Sequence, residues 1–303
     1  MASKKNYTFK DAAISYLEFD DRSERTREYV ERLISCLGAT ALSEIDQTSA
    51  DFACKQVLRP GASAATRLRS VYTPMRAIMR AAAIRRMCDI VFFDAPSVKT
   101  PRMQFLLPSQ VDAIAANSAD HIAPLIIFLA GTGARLSEAL DLDWSNIDIA
   151  GSQAIVRQKQ GNDRYISLCP RVMAALLGID HRDGRVFRAP AKCRKQESLP
   201  FSNIRNSGGQ IRTAWATACR KAGLPGQYRI VRRRSGQEIN VFVPNHSPHS
   251  LRHTFATWHY CVNRDLLGLK DDGGWGSVAM VARYAKKMPD AHRNDIQKWI
   301  NHE

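Results

Sequence analysis

Residues 94–102 carry Pro96 and Pro101 and separate two stretches of different hydrophobic rhythm. Before this break the apolar residues recur only at helical spacing: Phe9, Ala12, Ala13, Tyr16 and Leu17, then Tyr29, Leu33, Ile34 and Leu37 ahead of Gly38. A third helix over about 51–58 stops at Arg59-Pro60-Gly61, and Ser63 opens a long helix that runs to Arg86, with Pro74 as a kink point. After the break the pattern mixes periods. Ser109 could cap a helix beginning at Gln110, and the apolar stretch 122–130 runs into the turn Gly131-Thr132-Gly133. Alternating segments at 153–158 and 164–168 flank Gln160-Gly161-Asn162-Asp163, which has hairpin-turn chemistry. A short strand over 239–243 and helices from His249 onward complete the chain. The pattern predicts a mainly α fold with a small antiparallel β-sheet, divided into a helical domain over 5–95, a linker over 96–101 and a larger domain over 102–303.

Charge narrows the partner. Lys and Arg number 44 against 29 Asp and Glu, a formal net charge of +15, and a surplus of that size suits a polyanion such as nucleic acid. It is concentrated: Arg185 to Arg234 holds thirteen Lys or Arg and a single acid, Glu197, and closes on Arg232-Arg233-Arg234. The long N-terminal helix adds Arg67, Arg69, Arg76 and Arg80, which read as one arginine-rich face, either simply solvated or laid along DNA phosphates. These seven arginines are the candidate DNA contacts. The longest apolar run, near 122–130, is too short to cross a bilayer, and Met1–Lys5 lacks the apolar segment of a secretory signal, so no membrane association and a cytoplasmic location are expected. The seven cysteines are scattered without a CxxC pair, no HExxH occurs and no glycine-rich phosphate loop of the Walker type is present, so neither a metal nor a nucleotide cofactor is expected.

Three local features carry candidate chemistry, and each has an ordinary reading. Arg135 follows the Gly-Thr-Gly turn with Glu138 one helical turn on, as in any intrahelical ion pair. Pro248-His249-Ser250-Leu251-Arg252-His253 starts a helix and brings His249, Arg252 and His253 within about one turn. Gly273-Gly274-Trp275 precedes Val278 to Tyr284, where a helical tyrosine most often serves packing.

Their order and spacing together change the reading. Gly-Thr-Gly-Ala-Arg135-Leu-Ser-Glu138-Ala-Leu, then Lys159 in a hairpin completed by Arg164 and Leu168, then His249-Ser-Leu-Arg252-His253, then Gly-Gly-Trp275, and Tyr284 nine residues later, closely resemble the tyrosine recombinase family, which includes phage integrases. The resemblance spans about 107–290; the N-terminal part is similar only loosely to the family's core-binding domain.

What the resemblance implies is a site-specific DNA recombinase of bacterial or phage origin, associated with the nucleoid, whose two domains clamp duplex DNA. Tyr284 would attack a phosphodiester to form a 3′-phosphotyrosine. Arg135 and Arg252 suit the charge that builds on the non-bridging oxygens, because a guanidinium stays charged and forked. His249 would accept or share the tyrosine proton, Lys159 would protonate the leaving oxygen, Glu138 would orient Arg135 or His249, and His253 would support from behind. Trp275 stands where the family more often has histidine; its indole N–H can donate to a phosphate oxygen but cannot shuttle a proton. The resemblance further implies a homotetramer on two DNA sites, an accessory directionality factor as a further partner, and no cofactor. Relaxation of supercoils in the manner of a type IB topoisomerase, and a catalytically silent DNA-binding regulator, are the alternatives.

Overall fold

A computed structural model describes residues 6–98, 104–157, 163–189, 199–201, 211–233, 235–285 and 290–303. The chain divides into two compact units, Met1–Pro101 and Arg102–Glu303.

In the first unit α1 (Phe9–Glu18), α2 (Glu24–Leu37), α3 (Gln47–Val57), α4 (Ala64–Arg67) and α5 (Thr73–Ile84) are each placed by local chemistry. Thr8, Ser23, Asp46 and Ser63 cap the first four helices by accepting backbone N–H groups of their first turns. Phe9, Val30, Leu33, Met75 and Ile78 form a closed core. Between α4 and α5 the helix widens into a π turn over Leu68–Tyr72, with the Thr73 N–H bonded to the Leu68 carbonyl. Pro74 follows with no N–H to give, so a wide turn takes up the defect where a kink was expected.

The four arginines of the expected face all lie at the surface and have different neighbours. Arg67, Arg69, Arg76 and Arg80 are all exposed, yet Arg67 lies beside Cys54 of α3, Arg69 lies against Tyr29 of α2, and the Arg76 guanidinium donates to the Phe93 carbonyl.

The second unit begins with α6 (Pro108–Ala116), α7 (Ala123–Thr132) and α8 (Leu136–Leu140). Pro108, not Gln110, opens α6, and Ser109 sits inside the first turn; the cap comes from the Gln110 side chain, which accepts the Leu107 N–H at 2.9 Å. Proline suits that first position because its preset φ is helical and its missing N–H would have no partner there. Strands β1 (Ile147–Asp148), β2 (Gln153–Arg157) and β3 (Asp163–Ser167) form an antiparallel sheet in that order. Alternation buries Ala154, Val156 and Ile166 on one face, and the same alternation carries Arg164, opposite Val156, inward.

The chain continues through α9 (Pro170–Leu177), the short pair β4 (Arg188–Ala189) and β5 (Leu199–Pro200), α10 (Arg212–Lys221), a hairpin of β6 (Gly226–Arg232) and β7 (Glu238–Pro244), then α11 (Ser250–Asn263), α12 (Leu266–Gly273), α13 (Val278–Ala285) and α14 (Arg293–Asn301). The sequence marked β7 but not β6. Apolar and basic residues of β6 are divided between both faces, so no two-residue rhythm shows. Helix α7 is buried nearly all round and packs against α6, α9 and α11. Ile296 and Trp299 bring α14 into this same core: the Trp299 ring lies 5.0 Å from that of Trp258, and its N–H donates to Asp112 at 2.9 Å. The tail helix therefore packs on its own unit. No helix among the described residues is long and apolar enough to cross a membrane.

Candidate active site

The site is assembled from three turns. Gly133 ends α7 with φ 63°, and a Cβ there would meet the Phe255 ring at 2.3 Å, so both conformation and space call for glycine. The Gly133 carbonyl then accepts a hydrogen bond from Arg252 Nη1. Two residues on, Arg135 heads α8 and Glu138 reaches back to its N–H at 2.9 Å while pairing with its guanidinium. The third turn follows α12. Gly274 has φ 62°, and a Cβ on Gly273 would lie 1.5 Å from an atom of the Trp275 ring. The two glycines thus let Trp275 fold under the turn, where it is 8% exposed.

The basic groups meet around Glu138. Its carboxylate takes Arg135 on one oxygen and Arg164 on the other, the latter at 3.1 Å, with side-chain exposures of 4% for Glu138 and 7% for Arg164. Burial alone would raise the Glu138 carboxyl; hydrogen bonds from Arg135 and the charges of Arg164 and Arg135 outweigh it and hold the group below its ordinary value. Arg164 also donates to the Asp272 carbonyl and so ties β3 to the end of α12. The expectation paired Glu138 with Arg135 or His249; its second partner is Arg164. Sequence reading gave Arg164 no role of its own. Its inward register on β3 is the signal that could have found it.

Arg252 is 3% exposed and its guanidinium stacks over Trp275 at 4.0 Å. Its Nη2 is buried with no hydrogen-bond partner among the described residues, as is Nε of Arg164. Burial, and then the nearby charge of Arg135, push its pKa down to about 10. A buried guanidinium nitrogen without an acceptor, close to a second cation, has the chemistry to receive an anion.

Tyr284 comes from α13, is 3% exposed and sets its ring against Trp275 at 5.8 Å. Its hydroxyl lies 2.8 Å from His253 Nδ1. This inverts the expected roles of the two histidines. His249 was expected at the tyrosine with His253 behind it; instead His253 meets the hydroxyl, and His249 stacks edge-on against His253 at 4.9 Å. The two are four residues apart on one helix start and share a face, so only the packing of α13 on α11 chooses between them. Burial, His249, Arg283 and Arg252 push His253 down to about 4. Burial also raises Tyr284, against the pull of Arg283 and Arg252. At neutral pH the pair is thus a phenol against a neutral imidazole.

An open cleft of about 840 Å³ adjoins the site and is lined by Arg135, Ser137, Asp141, Arg157 and Arg185. Arg157, at the end of β2, is a further basic group that sequence reading passed over. Lys159 and Arg234 lie outside the described residues. Arg232 and Arg233 are exposed at the far end of the β6–β7 hairpin.

Residues 104–290, more than half of the chain, match the phage integrase family, and the chain belongs to that family. The integrase of Salmonella phage P22 is 24% identical over 255 residues, which are 79% of this chain; the chain spans 60% of the length of that relative. Among solved structures, the Tn1549 transposon integrase with transposon right-end DNA superposes with a TM-score of 0.63 at 17% identity, covering 96% of this chain and 99% of that one. A lambda integrase dimer on a core site gives 0.63 at 15% identity, covering 91% and 93%. The fold of this chain is the one those integrases share.

Proposed function

We propose that this chain is a site-specific recombinase that cuts and rejoins duplex DNA through a 3′-phosphotyrosine at Tyr284. The observation that carries the reading is a tyrosine hydroxyl held by a neutral histidine next to Arg252, whose buried Nη2 has no partner. That the Tn1549 and lambda integrases of the same fold were solved on DNA supports duplex DNA as the ligand.

In this mechanism a phosphodiester oxygen fills the place facing Arg252 Nη2, with Arg135 as the second clamp. Tyr284 Oη bonds to phosphorus and the bond to the 5′ oxygen breaks. The phenolic proton passes to His253, and Lys159, two residues beyond the end of β2, gives a proton to the leaving oxygen. Burial is the leading reason His253 is held low, and a bound phosphodiester would offset only the smaller contributions of Arg283 and Arg252. Trp275 keeps the Tyr284 and Arg252 side chains against its two sides. The new ester preserves the energy of the broken bond, so rejoining is the reverse reaction and needs no ATP. Four strands are exchanged in a full recombination, which calls for four subunits on two sites. The exposed arginines of the first unit would add phosphate contacts of their own.

A suicide duplex, nicked so that the cut strand escapes, tests this directly. A denaturation-resistant protein–DNA adduct is expected, absent in Tyr284→Phe; an adduct that persists in that variant overturns the assignment. Lys159→Ala should lose cleavage on normal DNA and regain it on a 5′-bridging phosphorothiolate, whose leaving group needs no proton.

A further inference from the structure

The β6–β7 hairpin is not needed to build the site, yet it is firmly rooted beside it. Its seven register pairs run from Gly226↔Pro244 to Arg232↔Glu238. At the root the Asn245 N–H bonds to the Pro225 carbonyl at 3.0 Å, and Trp215 donates to the His246 carbonyl at 2.7 Å. Gly226 leaves room for the Phe242 ring, which packs on the core of the unit. From there each strand extends about 3.3 Å per residue, so the ribbon reaches on the order of 20 Å from its root.

Its two faces differ in chemistry. One carries Tyr228 against Phe242, then Ile230, and sets Arg232 opposite Glu238; this face turns to the core at its root. The other carries Arg229 opposite Val241, Val231 opposite Ile239, and Arg233 beyond them, with no acidic residue. Beyond the root both faces meet water, with Ile230 73% and Val231 45% exposed, so charge is what sets them apart; Arg229 has no partner among the described residues. An isolated two-stranded ribbon that shows to water β-branched side chains and arginines with no acidic partner is incomplete. Net positive charge with no acid on that face selects a polyanion over a second copy of the chain.

We propose that this ribbon lies in the major groove of duplex DNA beside the cleavage point, with the Arg229–Val231–Arg233 face toward the bases. Two strands about 4.8 Å apart, with their side chains, match a groove about 12 Å wide and exceed one of about 6 Å. The inference rests on the reading of the chain as a DNA recombinase, but its test does not depend on cleavage. Binding of the full chain to a mixed-sequence fluorescent duplex is measured across a salt series. The double variant Arg229→Ala with Arg233→Ala should flatten the slope of log Kd against log salt by about 2, and Arg229→Lys with Arg233→Lys should restore it. A benzophenone amino acid in place of Val231 should cross-link to DNA, whereas one in place of Ile230 on the opposite face should not. An unchanged slope in the double alanine variant, or cross-links from position 231 only to another protein chain, overturns the proposal. If the salt slopes and the position-231 cross-link come out in this way yet the unsubstituted protein forms no covalent adduct on a suicide duplex, the cleavage reading fails and the ribbon stands.

Discussion

Arg252 and Arg164 are 3% and 7% exposed and lie within reach of one another's charge, whereas Arg67, Arg69, Arg76 and Arg80 of the helical stretch 64–84 stand at the surface of the first unit. The buried pair has one carboxylate, Glu138, which also serves Arg135. The surface group stands in high dielectric, where each charge costs little and is worth little. The contrast shows where the fold holds unfavourable electrostatics. It gathers cations around Glu138, at the proposed phosphate site, and leaves them singly placed at the surface of the first unit. Solvent screening also explains why the surface arginines could be drawn into local contacts such as Arg76 with the Phe93 carbonyl without loss of fold.

The sharpest way to break the comparison is to remove the buried cation. Arg252→Met keeps the aliphatic stem and removes the guanidinium that lacks a full set of acceptors. Adduct formation on a suicide duplex should fall by about 10³-fold, the scale of losing one oxyanion donor, while the thermal midpoint changes little, because an uncompensated buried charge contributes little to stability. A large drop in the thermal midpoint would instead make Arg252 a structural member like its neighbour. That neighbour should behave in the opposite way. Arg164→Ala leaves Glu138 with one partner and unties β3 from the Asp272 carbonyl, so denaturant unfolding should show a loss of about 3 kcal/mol. Adding Glu138→Gln should recover part of it.

The third effect is smaller and depends on pH. His253 titrates at about 4 in the fold against an ordinary value of 6.5. Between those values the unfolded chain binds more protons, so this group's stabilisation is present above about pH 6.5 and is lost as pH falls toward about 4. Thermal midpoints recorded over that window should decline less steeply in His253→Asn than in the unsubstituted protein. The same variant should lose adduct formation at neutral pH, while His249→Asn retains more of it, because His253 and not His249 meets the Tyr284 hydroxyl. Smallest of all, Arg80→Ala in the first unit should shift stability by no more than about 0.5 kcal/mol and reduce the salt slope of DNA binding by about 1.

Much of the site is legible in the order of residues alone. Arg135, Glu138, Arg252, Trp275 and Tyr284 stand out through the resemblance of their order to the integrase pattern, and the turns form as their glycines require: Gly133 and Gly274 are left-handed, and Gly273 makes room for Trp275. The helices of the first unit are readable for the same reason, since an apolar stripe and a capping side chain are local signals. The errors fall mostly where two distant segments meet. Strand β6 has no rhythm of its own and exists through its register with β7. The misplaced cap at Ser109 is a local exception: Gln110 caps the same turn, since Pro108 already fixes the helix start.

By itself the sequence determined that a tyrosine, two arginines and a histidine pair would recur in the order of a DNA-cleaving family, because those residue types and intervals are written along the chain. Only the tertiary structure decided that His253 and not His249 holds the Tyr284 hydroxyl, that Arg164 shares Glu138 with Arg135, and that Arg252 Nη2 is left without a partner. Each of these depends on packing between segments far apart in sequence, α11 on α13 and β3 on α12, and on the burial that packing creates. Desolvation and the pairing of each buried nitrogen have no counterpart in spacing, because both are fixed by which segments pack together.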